Sequence, residues 1–168
     1  EKVVRKNQWV ADLEALEKLK GQDNVTQSGK RIDVFANIGN VADADMACAA
    51  DAGGIGLFRS EFLYLGRTTF PSEEEQYTSY KAVLEKMEGK KVVIRTLDIG
   101  ADKKVDYFGL EPEENPALGY RAIRICLDRE EIFITQLRAL YRAAAHGKLA
   151  IMFPMIISVD EVKRIRQI

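Results

Sequence analysis

Lys91-Val92-Val93-Ile94-Arg95-Thr96-Leu97-Asp98-Ile99 is the stretch on which the fold class turns. Its β-branched, unbroken apolar start predicts a strand covered on both faces, the environment of a parallel sheet. The segments on either side agree. Ser72 and Glu75 stand three apart, a capping-box spacing that opens a helix running to about Glu88, and Gly89 closes it. Downstream, Asp128 with Glu131 is expected to open a long helix carrying Ile132, Leu137, Leu140 and Tyr141 and ending near Gly147. Leu149 to Ile156 then reads as another strand, and Ser158 with Glu161 as the cap of a last helix. Upstream, a strand at 32–38, a small-residue helix at 43–52 stopped by Gly53-Gly54, and a strand at 55–59 complete the pattern. Strands that alternate with helices need crossover connections, so the class is α/β with a parallel sheet under helices.

Composition narrows the function classes. The chain has 168 residues, 46% of them hydrophobic, with 25 Lys and Arg against 26 Asp and Glu for a net charge of −1. That is the make-up of one globular domain, and it excludes disorder, a collagen repeat and a membrane span. A balanced charge gives no general field for nucleic acid, so neither nucleic acid nor membrane is an expected partner and any anion site must be local. Cys48 and Cys126 are 78 positions apart in sequence and are expected as reduced core or helix residues, which suits a cytoplasmic compartment. Residues 2–20 place Val3, Trp9, Val10, Leu13 and Leu16 at helical spacing among charges, and Gly21 to Asn24 breaks that helix. Residue 1 is Glu rather than Met, from which the chain is expected to be a piece of a longer one.

Two charges stand where sheets build sites. Arg59 ends one strand and Arg95 follows the apolar core of the next, and ligands gather at the carboxyl ends of such strands. Either each guanidinium meets a carboxylate, with Glu61 and Asp98 the nearest in sequence, or the two converge on a small anion. Asp98 to Lys103 reads as a solvated loop or as a charged rim of the same end. Glu73-Glu74-Glu75 suits the start of a helix dipole, and the single histidine, His146, suits a helix end.

Beyond these features the strings become specific. Gly54-Ile55-Gly56-Leu57-Phe58-Arg59-Ser60-Glu61-Phe62-Leu63-Tyr64, Pro71-Ser72-Glu73-Glu74-Glu75-Gln76 and Val93-Ile94-Arg95-Thr96-Leu97-Asp98-Ile99-Gly100 stand in this order. Glu114-Asn115-Pro116, Gly119-Tyr120-Arg121-Ala122-Ile123-Arg124 and Met152-Phe153-Pro154-Met155-Ile156 follow. Together they closely resemble enzyme I of the bacterial phosphoenolpyruvate:sugar phosphotransferase system, from about Arg31 to the end.

The resemblance implies a partial (β/α)8 TIM barrel, about the first four βα units, over residues 31–168, preceded by a linker helix and turn over residues 1–30. It implies binding of phosphoenolpyruvate, transfer of its phosphoryl group to an enzyme histidine, and onward transfer to HPr for sugar uptake. Arg59 and Arg95 match the family's substrate arginines, and Arg121 matches a further one. The phosphohistidine domain, the Mg²⁺ carboxylates and the general-acid Cys of the family have no counterpart in this sequence. On that basis the segment alone is expected to be inactive, with Mg²⁺ held by the other barrel half and HPr reached through an N-terminal domain of a homodimeric parent. Ala101 stands where the family usually has Gly. Pyruvate phosphate dikinase and phosphoenolpyruvate synthase share the arginine pattern and are the nearest alternatives, and a non-catalytic association module is a third. Half of a barrel would leave edges around 34–38 and 150–155, from which self-association is expected.

Overall fold

A computed structural model describes residues 2–103 and 105–168. The elements run α1 (Lys2–Glu17), β1 (Ala36–Ile38), α2 (Val41–Ala49), β2 (Gly54–Arg59), α3 (Glu73–Lys86), β3 (Lys91–Arg95), α4 (Ile123–Asp128), α5 (Glu130–Ala143), β4 (Leu149–Met152) and α6 (Val159–Gln167). Short 3₁₀ turns at Ser60–Leu63, Asp106–Phe108 and Ala144–His146 punctuate the connections. The strands form one four-stranded sheet in the order β1-β2-β3-β4, and every pairing is parallel.

Burial explains why the middle strands hold the sheet. Ile55 and Phe58 of β2 and Val92 and Ile94 of β3 are wholly buried, against Tyr80 and Val83 of α3 and Phe133 and Leu140 of α5 among others. Each such side chain contributes roughly 1.5–3 kcal/mol by leaving water. The Phe58 and Tyr80 rings meet edge to face at 5.9 Å. Outside this core, α3 and α5 are tied by ion pairs from Glu73 to Arg138 and Arg142 and from Glu74 to Arg142. The acidic first turn of α3 thus serves a neighbouring helix as well as its own dipole. His146 closes the α5 end as expected, with its Nε2 3.0 Å from the Tyr77 hydroxyl and its Nδ1 3.3 Å from Glu85.

Capping chemistry was readable where it is local. Ser72 accepts from the Glu75 N–H and Glu75 from the Ser72 N–H, and Ser158 and Glu161 repeat the arrangement at α6. The Asp128–Glu131 cap does not form. Asp128 ends the short helix α4 and accepts from the Tyr120 hydroxyl, so α5 starts without a side-chain cap after Arg129.

Several expected elements are shorter in the structure. The strand expected over 32–38 is only Ala36–Ile38, because Arg31 bridges back to Val25 and the following residues have no full ladder to join. The strand expected to reach Ile99 stops at Arg95, and the one expected to reach Ile156 stops at Met152. The helix expected over 2–20 ends at Glu17, and none of its residues is buried.

Gly53-Gly54 is not the stop of α2. That helix ends at Ala49, and the left-handed residue that turns the chain is Asp51, at φ 54°. Gly54 serves close packing instead: a Cβ there would lie 2.5 Å from the Lys91 carbonyl oxygen of the neighbouring strand. Cys126 is buried in α4, and Cys48 on α2 is exposed, with its thiol reaching the Lys86 carbonyl at 3.4 Å. Burial pushes the Cys126 thiol up to about 12.

The sheet leaves β1 and β4 with one strand neighbour each among the described residues, which fits the expected edges. Val34, Phe35 and Met152 are exposed beside them.

Candidate functional site at the carboxyl ends of the strands

In the β2–β3 ladder Arg59 pairs in register with Arg95, so both guanidinium groups leave the sheet at the same level. Arg95 is met by carboxylates on two sides. Its guanidinium lies 2.5 Å from Glu61 and 2.9 Å from Asp98, in side chains that are 19%, 8% and 13% exposed respectively. Arg121, two residues before the start of α4, approaches the other oxygen of Asp98 at 2.9 Å and Asp102 at 3.4 Å. One carboxylate therefore bridges two arginines, Asp98 Oδ2 to Arg95 and Oδ1 to Arg121.

Arg59 has no carboxylate partner among the described residues. Its guanidinium carbon stands 4.7 Å from the ring centre of Phe62, an arrangement in which the quadrupole of the ring holds the cation while leaving hydrogen-bond donors for something else. Gly39, just after β1, makes room: a Cβ there would meet the Phe62 ring at 2.9 Å and Arg59 at 3.3 Å. Arg59 Nε, Arg95 Nε and Glu61 Oε2 are buried without a hydrogen-bond partner. Buried polar atoms of this kind are costly unless a ligand or water meets them.

The rim is built by backbone as well as charge. Gly100 allows Arg121 to pass close, since a Cβ on it would lie 2.8 Å from Arg121 Cβ. Ala122 is buried at φ 54° and ψ −125°, and its N–H donates to the Ile99 carbonyl at 3.0 Å. On the other side, Asp43 in the first turn of α2 accepts from the Gly39 N–H at 2.8 Å. That bond chiefly holds its carboxyl below the usual range, against a partial loss of hydration, with Asn40 assisting and Arg59 adding a smaller attraction.

The structure thus gathers Arg59, Arg95 and Arg121 at one end of the sheet, and the carboxylate pairing considered for both strand-end arginines forms at Arg95. Arg95 makes ion pairs with the very carboxylates considered for it, and Arg59 does not. Asp98 and Asp102 belong to a charged rim rather than a solvated loop. Sequence reasoning missed Asp43 and Gln136. Gln136 carried a signal, as a polar residue within the apolar stripe of α5.

Among the described residues no group of three or more His, Cys, Asp or Glu side chains is placed to hold a metal ion. Glu61, Asp98 and Asp102 are engaged by arginines, so the residues present do not form a Mg²⁺ site. No described helix is long and apolar enough to cross a membrane.

Such a set can bind a small polyanion: one cation with unmet donors, two more that are already aligned by carboxylates, and planar forks that suit phosphate and carboxylate alike. Comparison with known proteins is consistent with that chemistry. The family described as "PEP-utilising enzyme, PEP-binding domain" matches residues 13–168. The chain is 52% identical over 159 residues to the phosphoenolpyruvate-protein phosphotransferase of Staphylococcus carnosus, covering 95% of this chain and 28% of that protein. It is 52% identical over 153 residues to the protein of that name from Mycoplasma pneumoniae, covering 91% and 27%. The match to the Haemophilus influenzae protein of that name is 54% over 153 residues, again covering 91% and 27%. The chain spans little more than a quarter of the length of these relatives. With a family match over most of its length and relatives above half identity, the chain belongs to the phosphoenolpyruvate-utilising enzymes, in their phosphoenolpyruvate-binding domain.

Proposed function

We propose that Arg59, Arg95 and Arg121 bind phosphoenolpyruvate for a phosphoenolpyruvate-protein phosphotransferase. The observation that carries this reading is the in-register pair Arg59 and Arg95, of which one is neutralised by carboxylates and the other is not. In this reading Arg59, with no carboxylate partner among the described residues, offers its unmet donors to the anion. The second charge of the anion is met by Arg95 and Arg121, whose orientation Asp98 maintains. Phosphoryl transfer asks a protein chiefly for positioning and for neutralisation of spread negative charge, and three guanidinium groups on a rigid sheet end supply both.

In this proposal residues 31–168 are the first four units of a (β/α)8 barrel and residues 1–30 a linker helix and turn. The parallel order β1-β2-β3-β4 with helices between the strands supports that assignment. The phosphoryl group passes to a histidine of the whole enzyme and then to HPr, in the cytoplasm, within a homodimer. Any Mg²⁺ has its ligands outside the described residues. The 168-residue chain by itself is inactive, since His146 is engaged by Tyr77 and Glu85, away from the arginines in sequence and on an outer helix end.

The test uses the full-length protein that carries this sequence. Replacing Arg59 by Ala is expected to lower kcat/KM for phosphoenolpyruvate by about 30- to 1000-fold, the range of ~2–4 kcal/mol for a preorganised charge. Replacement by Lys is expected to rescue poorly because the ammonium lacks the fork. Turnover within threefold of the parent in both variants would defeat the proposal. On the isolated chain, labelled phosphoenolpyruvate is expected to leave no phosphate, and stable labelling of His146 would overturn the inactive reading.

A further inference from the structure

Among the buried polar side chains that this chemistry leaves unused is Gln136. It is fully buried on the inward stripe of α5 between Phe133 and Leu140. Its Oε1 accepts from the Leu97 N–H at 2.9 Å, and its Nε2 donates to the Ser60 hydroxyl at 3.0 Å and to the Tyr80 hydroxyl at 3.0 Å. Ser60 directly follows Arg59, and Leu97 stands two residues beyond Arg95. One amide therefore ties together the two segments that carry the arginines.

The orientation of that amide is determined by its partners. A backbone N–H can only donate, so the oxygen of Gln136 must face Leu97 and its nitrogen must face Ser60. Tyr80 passes its own proton to Gln76 Oε1 at 3.1 Å, which also receives the Tyr64 hydroxyl at 3.1 Å. Gln76 Nε2 in turn donates to the Pro71 carbonyl at 3.1 Å. The network is thus anchored in α3 and α5, both of which are packed on the core.

The need for it arises where the ladder ends. The Thr96 N–H still reaches the Met152 carbonyl of β4 at 2.9 Å, but the Leu97 N–H has left the sheet inside the protein and has only Gln136 to meet it. A side chain that satisfied this donor alone would be structural. Gln136 also spends its donors on Ser60 and Tyr80, so the spacing between the post-strand segments depends on it.

We propose that Gln136 is a positioning residue for the phosphoenolpyruvate site, holding the Arg59 and Arg95 segments at the separation the anion requires. This rests on the reading of those arginines as substrate ligands. A misplacement of about 1 Å is enough to cost on the order of a hundredfold in rate.

The experiment compares Gln136→Leu, Ser60→Ala and Arg59→Ala in the full-length protein, with kcat and KM measured separately for phosphoenolpyruvate and for the phospho-acceptor protein. Gln136→Leu is expected to lower kcat/KM for phosphoenolpyruvate by about 10- to 100-fold and to leave the KM for the acceptor unchanged. Ser60→Ala removes only the link on the Arg59 side and is expected to give a smaller loss, with the two changes less than additive when combined. Ser60→Ala decides the matter if Gln136→Leu does not fold. If Arg59→Ala impairs use of phosphoenolpyruvate while the folded Gln136 and Ser60 variants stay within twofold of the parent, the positioning role is refuted. If Arg59→Ala itself has no effect, the site reading fails and the positioning role falls with it.

Discussion

Arg59 and Arg95 are register partners on adjacent parallel strands, yet among the described residues only Arg95 is enclosed by carboxylates. The asymmetry separates what each contributes to stability from what it contributes to binding. Arg95→Ala would leave Glu61 as a poorly hydrated anion without its partner and Asp98 with Arg121 alone, and loss of one member of such a pair costs ~3–5 kcal/mol. Arg59→Ala removes a cation held by an aromatic ring, worth about 1 kcal/mol. Urea unfolding of the two variants should show a large drop for Arg95→Ala and a small one for Arg59→Ala. Equal losses would contradict the charge pairing described.

Acid should loosen α3 from its start. Glu75 is held down at about 2, first by Arg67 and then by the Ser72 N–H and hydroxyl, from a usual value of 4.5. A depressed carboxyl stabilises the folded chain above its unfolded value and loses that contribution as pH falls through the folded value. The contribution therefore fades between pH 4.5 and about 2. Helical circular dichroism followed over that range should fall less steeply in Glu75→Gln than in the parent. Ser72→Ala should cost ~1 kcal/mol at neutral pH through loss of the cap.

Gly54→Ala should be among the more damaging single-methyl additions in the chain. The new Cβ would lie 2.5 Å from the Lys91 carbonyl oxygen, so β2 and β3 would have to move apart at their first pair. Overpacking of this kind costs roughly 1–3 kcal/mol. Thermal unfolding measured beside Gly66→Ala would separate contact from conformation: Gly66 has φ 70° and no atom within 4 Å of the added carbon. A Gly54→Ala protein as stable as the parent would rule out the close strand approach.

The thiols should differ in reactivity. Cys48 is exposed, whereas Cys126 is buried and its thiol is pushed up to about 12 by loss of hydration, with Asp98 adding to the effect. Mild alkylation at pH 8 should modify Cys48 alone, and Cys126 only after unfolding, as peptide mass mapping can show. Rapid modification of Cys126 in the folded chain would mean that the α4 region opens readily.

The parts of the fold visible in the sequence were those written in local chemistry. Ser72 with Glu75 and Ser158 with Glu161 declare their helices because cap and capped group lie within one turn. Arg59 and Arg95 were visible as charges at the ends of apolar runs. What escaped was decided across the chain. Asp128 is captured by Tyr120 and cannot cap α5. Gly54 is small because of the Lys91 carbonyl on another strand, not because of the helix before it. The lengths of β1 and β3 depend on how far a neighbouring strand accompanies them. Gln136 gave only a hint, a lone amide in an apolar stripe, and its partners lie 39, 56 and 76 positions away.

Ala122 carries a consequence of a different kind. A side-chain-bearing residue at φ 54° and ψ −125° sits in a region that glycine tolerates far better, at a cost of order 1–3 kcal/mol. Glycine there would relieve the strain, but it would also give the hinge behind Arg121 more freedom, and the Ile99 carbonyl would have a looser donor to grip. With alanine at this position the chain carries a tense joint beside Arg121. Under the proposed function, stability and the fixed placement of Arg121 are therefore set against each other at this one residue, and a screen that selected for heat resistance alone would be drawn to relax it.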